Sequence, residues 1–140
     1  NVRCPDFLAM DRIEFEPGGR RYEPGVLNLP GISGMDASLR LIESAGDVGA
    51  RILHLRDFLE DALEKRGWIF LSPKRHEPMR SGILTARHPS INAAGHFDLL
   101  ARNGVAASLR KDRSGKAWLR FSPHFYNTEE ELEKVLRLLA

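Results

Sequence analysis

Proline and glycine are spread unevenly along this chain, and that constrains its fold more than any other feature. Residues 1–34 hold Pro5, Pro17, Pro24 and Pro30, interleaved with Gly18, Gly19, Gly25, Gly31 and Gly34. Proline fixes φ and removes a donor, and glycine raises the entropy cost of ordering, so long regular elements are disfavoured there. At most, 11–15 and 20–23 form short strands. The same stretch is nevertheless rich in apolar side chains: Phe7, Leu8, Ile13, Phe15, Tyr22, Val26, Leu27, Leu29 and Ile32. Thirty irregular residues of that composition are expected to pack against something outside this chain rather than to stay disordered.

From Met35 the pattern is regular. Met35, Leu39 and Ile42 make a helical stripe closed by Gly46. Asp47 caps a longer helix with Val48, Ile52, Leu55, Leu59 and Leu63 on its apolar side. Arg51, His54, Asp57, Asp61 and Lys65 lie opposite, and Gly67 stops the helix. Strands are expected at 68–71 and 82–87, separated by a polar loop at 73–81. Asn92 caps a helix through Ala93, Phe97 and Leu100 that ends at Asn103-Gly104. Two further strands, 105–109 and 117–122, flank a polar turn from Lys111 to Lys116. Thr128 and Glu131 form a capping box ahead of Leu132, Val135, Leu136 and Leu139. This order predicts an α+β fold: a small, mostly antiparallel sheet with helices on one face, preceded by an irregular N-terminal segment. The domains expected are 1–34, packing on a missing partner, and 35–140, the α+β unit.

Composition removes several classes of function. The 140 residues carry 21 Lys+Arg against 19 Asp+Glu, a net charge of +2 that is too small for a polycationic nucleic-acid binder. No apolar run approaches the length of about 18 residues that a membrane span needs. The single cysteine, Cys4, leaves no internal disulfide and fits a reducing, cytoplasmic setting. A first residue of Asn1 rather than methionine suggests trimming or cleavage.

Few residues carry chemistry. Cys4 has no base near it in sequence. His88, His96 and His124 lack metal-ligand spacing, so no metal is expected. Arg110, Lys111, Arg113 and Lys116 read as a solvated turn, and the turns at Glu16 and Glu23 match no phosphate-binding loop. Alternation in 117–122 sends Leu119 and Phe121 one way and Trp118, Arg120 and Ser122 the other. Arg120 would then stand on the sheet face without helices. There it is either a solvated surface arginine or a fork that holds a carboxylate.

Several segments together resemble the class V aminotransferase family, which includes cysteine desulfurases and isopenicillin N epimerase-like proteins. Arg21-Tyr22-Glu23-Pro24-Gly25-Val26-Leu27-Asn28 is similar to the family's R-F/Y-E-x-G-T-x-N segment. Gly31 to Leu39 continues in the same order, and Ser81-Gly82-Ile83 resembles an S-G-I strand start. Arg120-Phe121-Ser122-Pro123-His124-Phe125-Tyr126-Asn127-Thr128, followed by a Glu-rich helix, resembles the C-terminal R-x-S-P-H-F-Y-N-T-x-E-E signature.

The resemblance implies the C-terminal small domain of a fold-type I pyridoxal 5'-phosphate enzyme acting on an amino acid. Arg120 would bind the substrate α-carboxylate. Gly25, Val26 and Asn28 would approach the cofactor phosphate across a homodimer interface. The implied partners are a large pyridoxal-phosphate domain, a second subunit and the amino-acid substrate; no membrane or nucleic acid is implied. Three departures refine this. Val26 replaces a threonine and cannot donate to phosphate. The segment 108–116, where desulfurases carry a reactive cysteine, has none, so aminotransferase, epimerase or lyase chemistry fits better. None of Lys65, Lys74, Lys111, Lys116 and Lys134 has the setting of a Schiff-base lysine, which would lie upstream of Asn1, so the chain alone is expected to be inactive. The alternative is a stand-alone α+β binding or regulatory module derived from such a domain.

Overall fold

Two helix ends set the frame of the sheet. After the long helix, Gly67 takes φ +82° and donates to Glu64 O, while Trp68 N–H donates to Leu63 O. After the third helix, Gly104 takes φ +75° and donates to Ala101 O, while Val105 N–H donates to Leu100 O. Both are Schellman motifs, which consume the first amide beyond each glycine and delay the next strand.

The computed structural model describes residues 2–3, 13–23, 25–71 and 80–140. The elements are β1 (Val2–Arg3), β2 (Glu14–Phe15), α1 (Leu29–Ser44), α2 (Val48–Glu64), β3 (Ile69–Phe70), β4 (Leu84–Arg87), α3 (Ala93–Arg102), β5 (Ser108–Lys111), β6 (Ala117–Phe121) and α4 (Glu129–Leu138). They fall into two compact units, 1–44 and 45–140.

In the first unit β1 pairs antiparallel with β2, Val2 opposite Phe15 and Arg3 opposite Glu14. The strand expected at 20–23 is instead a single 3-10 turn, Gly18–Tyr22, closed by Arg21 Nε donating to Gly18 O at 3.0 Å. Pro17 and the two glycines favour that turn over an extended run. Helix α1 starts at Leu29, ahead of Met35. Asn28 is the reason: its Oδ1 accepts Gly31 N–H at 3.0 Å and its carbonyl accepts Ile32 N–H at 2.9 Å. Pro30 then sits in the first turn, where a missing donor costs nothing. Leu29, Ile32, Met35, Leu39 and Ile42 are all exposed. Residues 11 and 12 of the expected first strand, Cys4, Phe7, Leu8, most of the polar loop and Lys74 lie outside the described residues.

The second unit is the α+β layer. Its sheet runs β3-β4-β6-β5, antiparallel at every neighbour. Leu84, Ala86, Leu119 and Phe121 share one side of the sheet and belong to the core. Leu55, Leu59 and Leu63 of α2, Leu100 of α3 and Leu132, Val135 and Leu136 of α4 complete that core. Most of the expected stripe residues of these helices are therefore buried, Val48, Ile52 and Phe97 only partly, and all three helices lie on one side. All four strands are shorter or later than their patterns suggest: β4 begins at Leu84 rather than at Gly82, and β6 ends at Phe121 rather than at Ser122. β3 begins at Ile69 because Trp68 N–H closes α2. β5 begins at Ser108, not Val105, because Val105 N–H closes α3, and it extends to Lys111. Gly82 passes so near α2 that a Cβ there would clash with Ile52 Cγ2. Among the described residues, no helix is long and apolar enough to cross a membrane.

The polar side of α2 is engaged rather than simply solvated. Arg51 and His54 reach Glu129 of α4, His54 Nε2 lying 2.8 Å from Oε1. Arg56 and Glu60, unremarked by periodicity, are 3% and 0% exposed and form an i,i+4 ion pair at 2.7 Å. Asp57 joins Arg56 and Arg80 to that cluster.

Candidate carboxylate-binding face

The side of the four-stranded sheet opposite the helices carries alternate residues of each strand. In β6 these are Trp118 and Arg120, as alternation requires. Thr85 of β4 and Ser108 of β5 stand directly opposite Arg120, one on each flank. Arg120 is part-buried, and its Nε is closed off from solvent with no hydrogen-bond partner among the described residues. A water-excluded guanidinium N–H without an acceptor is costly unless a ligand supplies one. The planar fork, rooted on the central strand pair and flanked by two hydroxyls, is suited to a carboxylate bound through parallel hydrogen bonds.

One turn stiffens this face. Asp112 Oδ1 accepts Ser114 N–H at 2.8 Å, Ser114 Oγ–H at 2.7 Å and Lys116 N–H at 3.0 Å. Its Oδ2 accepts Trp118 Nε1–H at 2.9 Å. The Ser114 hydroxyl, then the Trp118 indole, hold the Asp112 carboxyl at about 2, below its ordinary 3.8. Trp118 is thereby locked against the sheet, and the Arg87 guanidinium lies over its ring at 5.1 Å from the centroid. Arg87 was missed by sequence reasoning. The parity that picked out Arg120 also places 85 and 87 together on β4, which was the available signal.

The segment after Arg120 is mainly structural. Pro123 is buried. His124 N–H donates to Asn127 Oδ1 at 2.8 Å, and Asn127 N–H returns to His124 O at 2.9 Å. Thr128 Oγ1 accepts Glu131 N–H at 3.2 Å while Glu131 Oε2 accepts Thr128 N–H at 3.0 Å, the expected capping box. Asn127, donating to Glu131, and the Thr128 amide hold the Glu131 carboxyl below the usual range. The ring of His124 packs on Phe125 and Tyr126.

Among the other candidates, Arg110 stands opposite Trp118 on this same face. His88 packs edge-on against Trp68, and His96 Nδ1 lies 3.2 Å from Asn92 O. Arg110, Lys111, Arg113 and Lys116 are exposed. Gly25, Val26 and Asn28 belong to the first unit. Gly25 has φ +89°, Val26 is 96% exposed, and the Asn28 carboxamide caps α1. Lys65, Lys111 and Lys116 are exposed, and Lys134 Nζ donates to Asn103 O at 2.7 Å.

No protein-family model matches the chain, and no curated protein matches it by sequence. Solved structures do. The apo cysteine desulfurase of Thermococcus onnurineus NA1 aligns with a TM-score of 0.79 at 20% identity, over 94% of this chain and 35% of that one. The cysteine desulfurase CsdA of Escherichia coli, with an S-sulfonic acid, aligns at 0.77 and 20% identity, over 99% and 35%. A NifS-like protein aligns at 0.69 and 24% identity, over 88% and 36%. The likeness establishes the fold, and the chain spans about a third of the length of each of these proteins.

Proposed function

We propose that this chain is the C-terminal domain of a pyridoxal-phosphate enzyme of the class V aminotransferase type, and that it holds an amino-acid substrate by its α-carboxylate. The observation that carries this reading is Arg120: a guanidinium fixed on the open sheet face, its Nε shielded and lacking an acceptor among the described residues. The length ratio to the similar structures supports a piece of a larger enzyme.

The residues present fit the substrate better than the cofactor. Arg120 orients the carboxylate, and the Thr85 and Ser108 hydroxyls stand beside it as further donors. In the 25–28 segment Val26 offers only methyl groups, and Asn28 Oδ1 is committed to Gly31. The backbone amides at Gly25 and Val26 and the Asn28 Nδ2 are the donors this segment would bring to a cofactor phosphate. The cofactor, when bound, supplies an electron sink for bond cleavage at the α carbon. The lysine and the remaining cofactor contacts would come from the large domain, and a second subunit would complete the wall. The substrate class is an amino acid; aminotransferase, epimerase and lyase reactions would all use this carboxylate grip.

Two measurements test the reading. The 140-residue chain, mixed with pyridoxal phosphate and passed through a desalting column, retains no cofactor absorbance; stoichiometric retention overturns the fragment reading. In binding titrations L-alanine engages the Arg120 side chain and L-alaninamide does not. Equal binding of the two removes the carboxylate assignment.

A further inference from the structure

We infer that the open sheet face grips an anionic substrate at two points: Arg120 takes the α-carboxylate and Arg87 takes a second acidic group on the same amino acid. The substrate class is therefore an acidic amino acid, with a side-chain carboxylate or an acid of similar shape. This rests on the reading of Arg120 given above.

Strands β4 and β6 are neighbours, and Thr85 stands opposite Arg120. Arg87 lies two residues further along β4 on the same face, diagonal to Arg120, a relation that sets the two residues roughly 7–8 Å apart with their Cβ atoms somewhat closer. Trp118 precedes Arg120 by two residues on β6, and the Arg87 guanidinium rests on its ring. The indole is fixed by Asp112, so Arg87 is positioned by stacking, with no ion pair among the described residues. The Nε of Arg87, like that of Arg120, is shielded from solvent with no hydrogen-bond partner among the described residues. Two like charges with shielded donors, held side by side on one rigid surface, repel each other. An anion that bridges them relieves the repulsion and satisfies both forks. The diagonal spacing suits carboxyl groups separated by an α carbon and one or two methylenes. A monocarboxylic amino acid would leave Arg87 without an acceptor.

The test uses the shielded Nε–H groups themselves. In ¹H–¹⁵N spectra of the protein, L-aspartate should shift the Nε–H signals of both Arg87 and Arg120 along one isotherm. L-alanine should shift Arg120 alone and bind about tenfold more weakly, the scale of one charge-assisted contact. Arg87→Gln should weaken L-aspartate by that factor, and Arg87→Lys, which keeps the charge without the fork, should retain part of the preference. The Lys variant carries the comparison if the Gln variant does not fold. L-aspartate acting on Arg120 alone, with the affinity of L-alanine, overturns the second contact while leaving the carboxylate role of Arg120 standing. If neither amino acid moves Arg120, both readings fall. Inorganic phosphate shifting both arginines as strongly as L-aspartate makes this a general anion patch and removes the amino-acid assignment.

Discussion

At the scale of single residues, three side chains shape the open face: Arg120 and Arg87 offer donors, and Asp112 fixes what lies beneath them. Asp112 gives a prediction with a definite sign. Its carboxyl is held at about 2, below the ordinary 3.8, so its turn contributes stability at pH above the ordinary value. That contribution is lost as pH falls through about 2. Carboxyl chemical shifts followed against pH should titrate Asp112 with a midpoint near 2, and a midpoint at the ordinary value contradicts the described hydrogen bonds. Arg120 was legible because β-strand alternation needs only the neighbouring Leu119 and Phe121. Arg87 was not, because its importance comes from pairing with a strand more than thirty residues away. No local pattern encodes that register.

At the scale of elements, caps decide where helices begin and end, and they explain most departures from the periodic pattern. Asp47, Asn92 and Thr128 act as the side-chain caps their positions suggested, each accepting a first-turn amide. Asn28 acts the same way, hidden by the proline and glycine that follow it, and so α1 begins at Leu29. The Schellman closures after α2 and α3 shift β3 and β5 along the chain, a displacement that hydrophobic spacing cannot express. The cap of α4 is the most exposed to test. Thr128→Ala should cost about 1 kcal/mol in chemical denaturation, since it removes one arm of a reciprocal capping box. An unchanged midpoint contradicts the geometry. The helix begins at Glu129, and its cap follows directly on the His124–Asn127 turn after β6, so loosening its start should also blur that turn.

At the scale of the molecule, the sheet divides the second unit into a helix-covered side that holds the fold and an open side that offers chemistry. Leu119 and Arg120 are adjacent in sequence and belong to opposite sides. Leu119 is fully buried, and Leu119→Ala should cost about 2–5 kcal/mol by leaving a cavity in the core. Denaturant midpoints check this directly. The architecture of this unit was readable because its stripes, caps and turns all agree. The first unit was less so: its apolar α1 face is exposed, so periodicity there is not confirmed by burial among the described residues. The Arg56–Glu60 pair was unread for another reason, since an i,i+4 ion pair has the same sequence signature whether it is buried or solvated.

The division between the two sides is the central claim, and Arg120→Ala measures it most directly through two quantities on one variant. The amino-acid dissociation constant should rise about 10- to 100-fold, the scale of a lost charge-assisted carboxylate contact. Unfolding free energy should change by no more than about 0.5–1 kcal/mol, because Arg120 contributes nothing to the helix-covered core. A variant that unfolds readily while binding its amino acid as before would contradict the account.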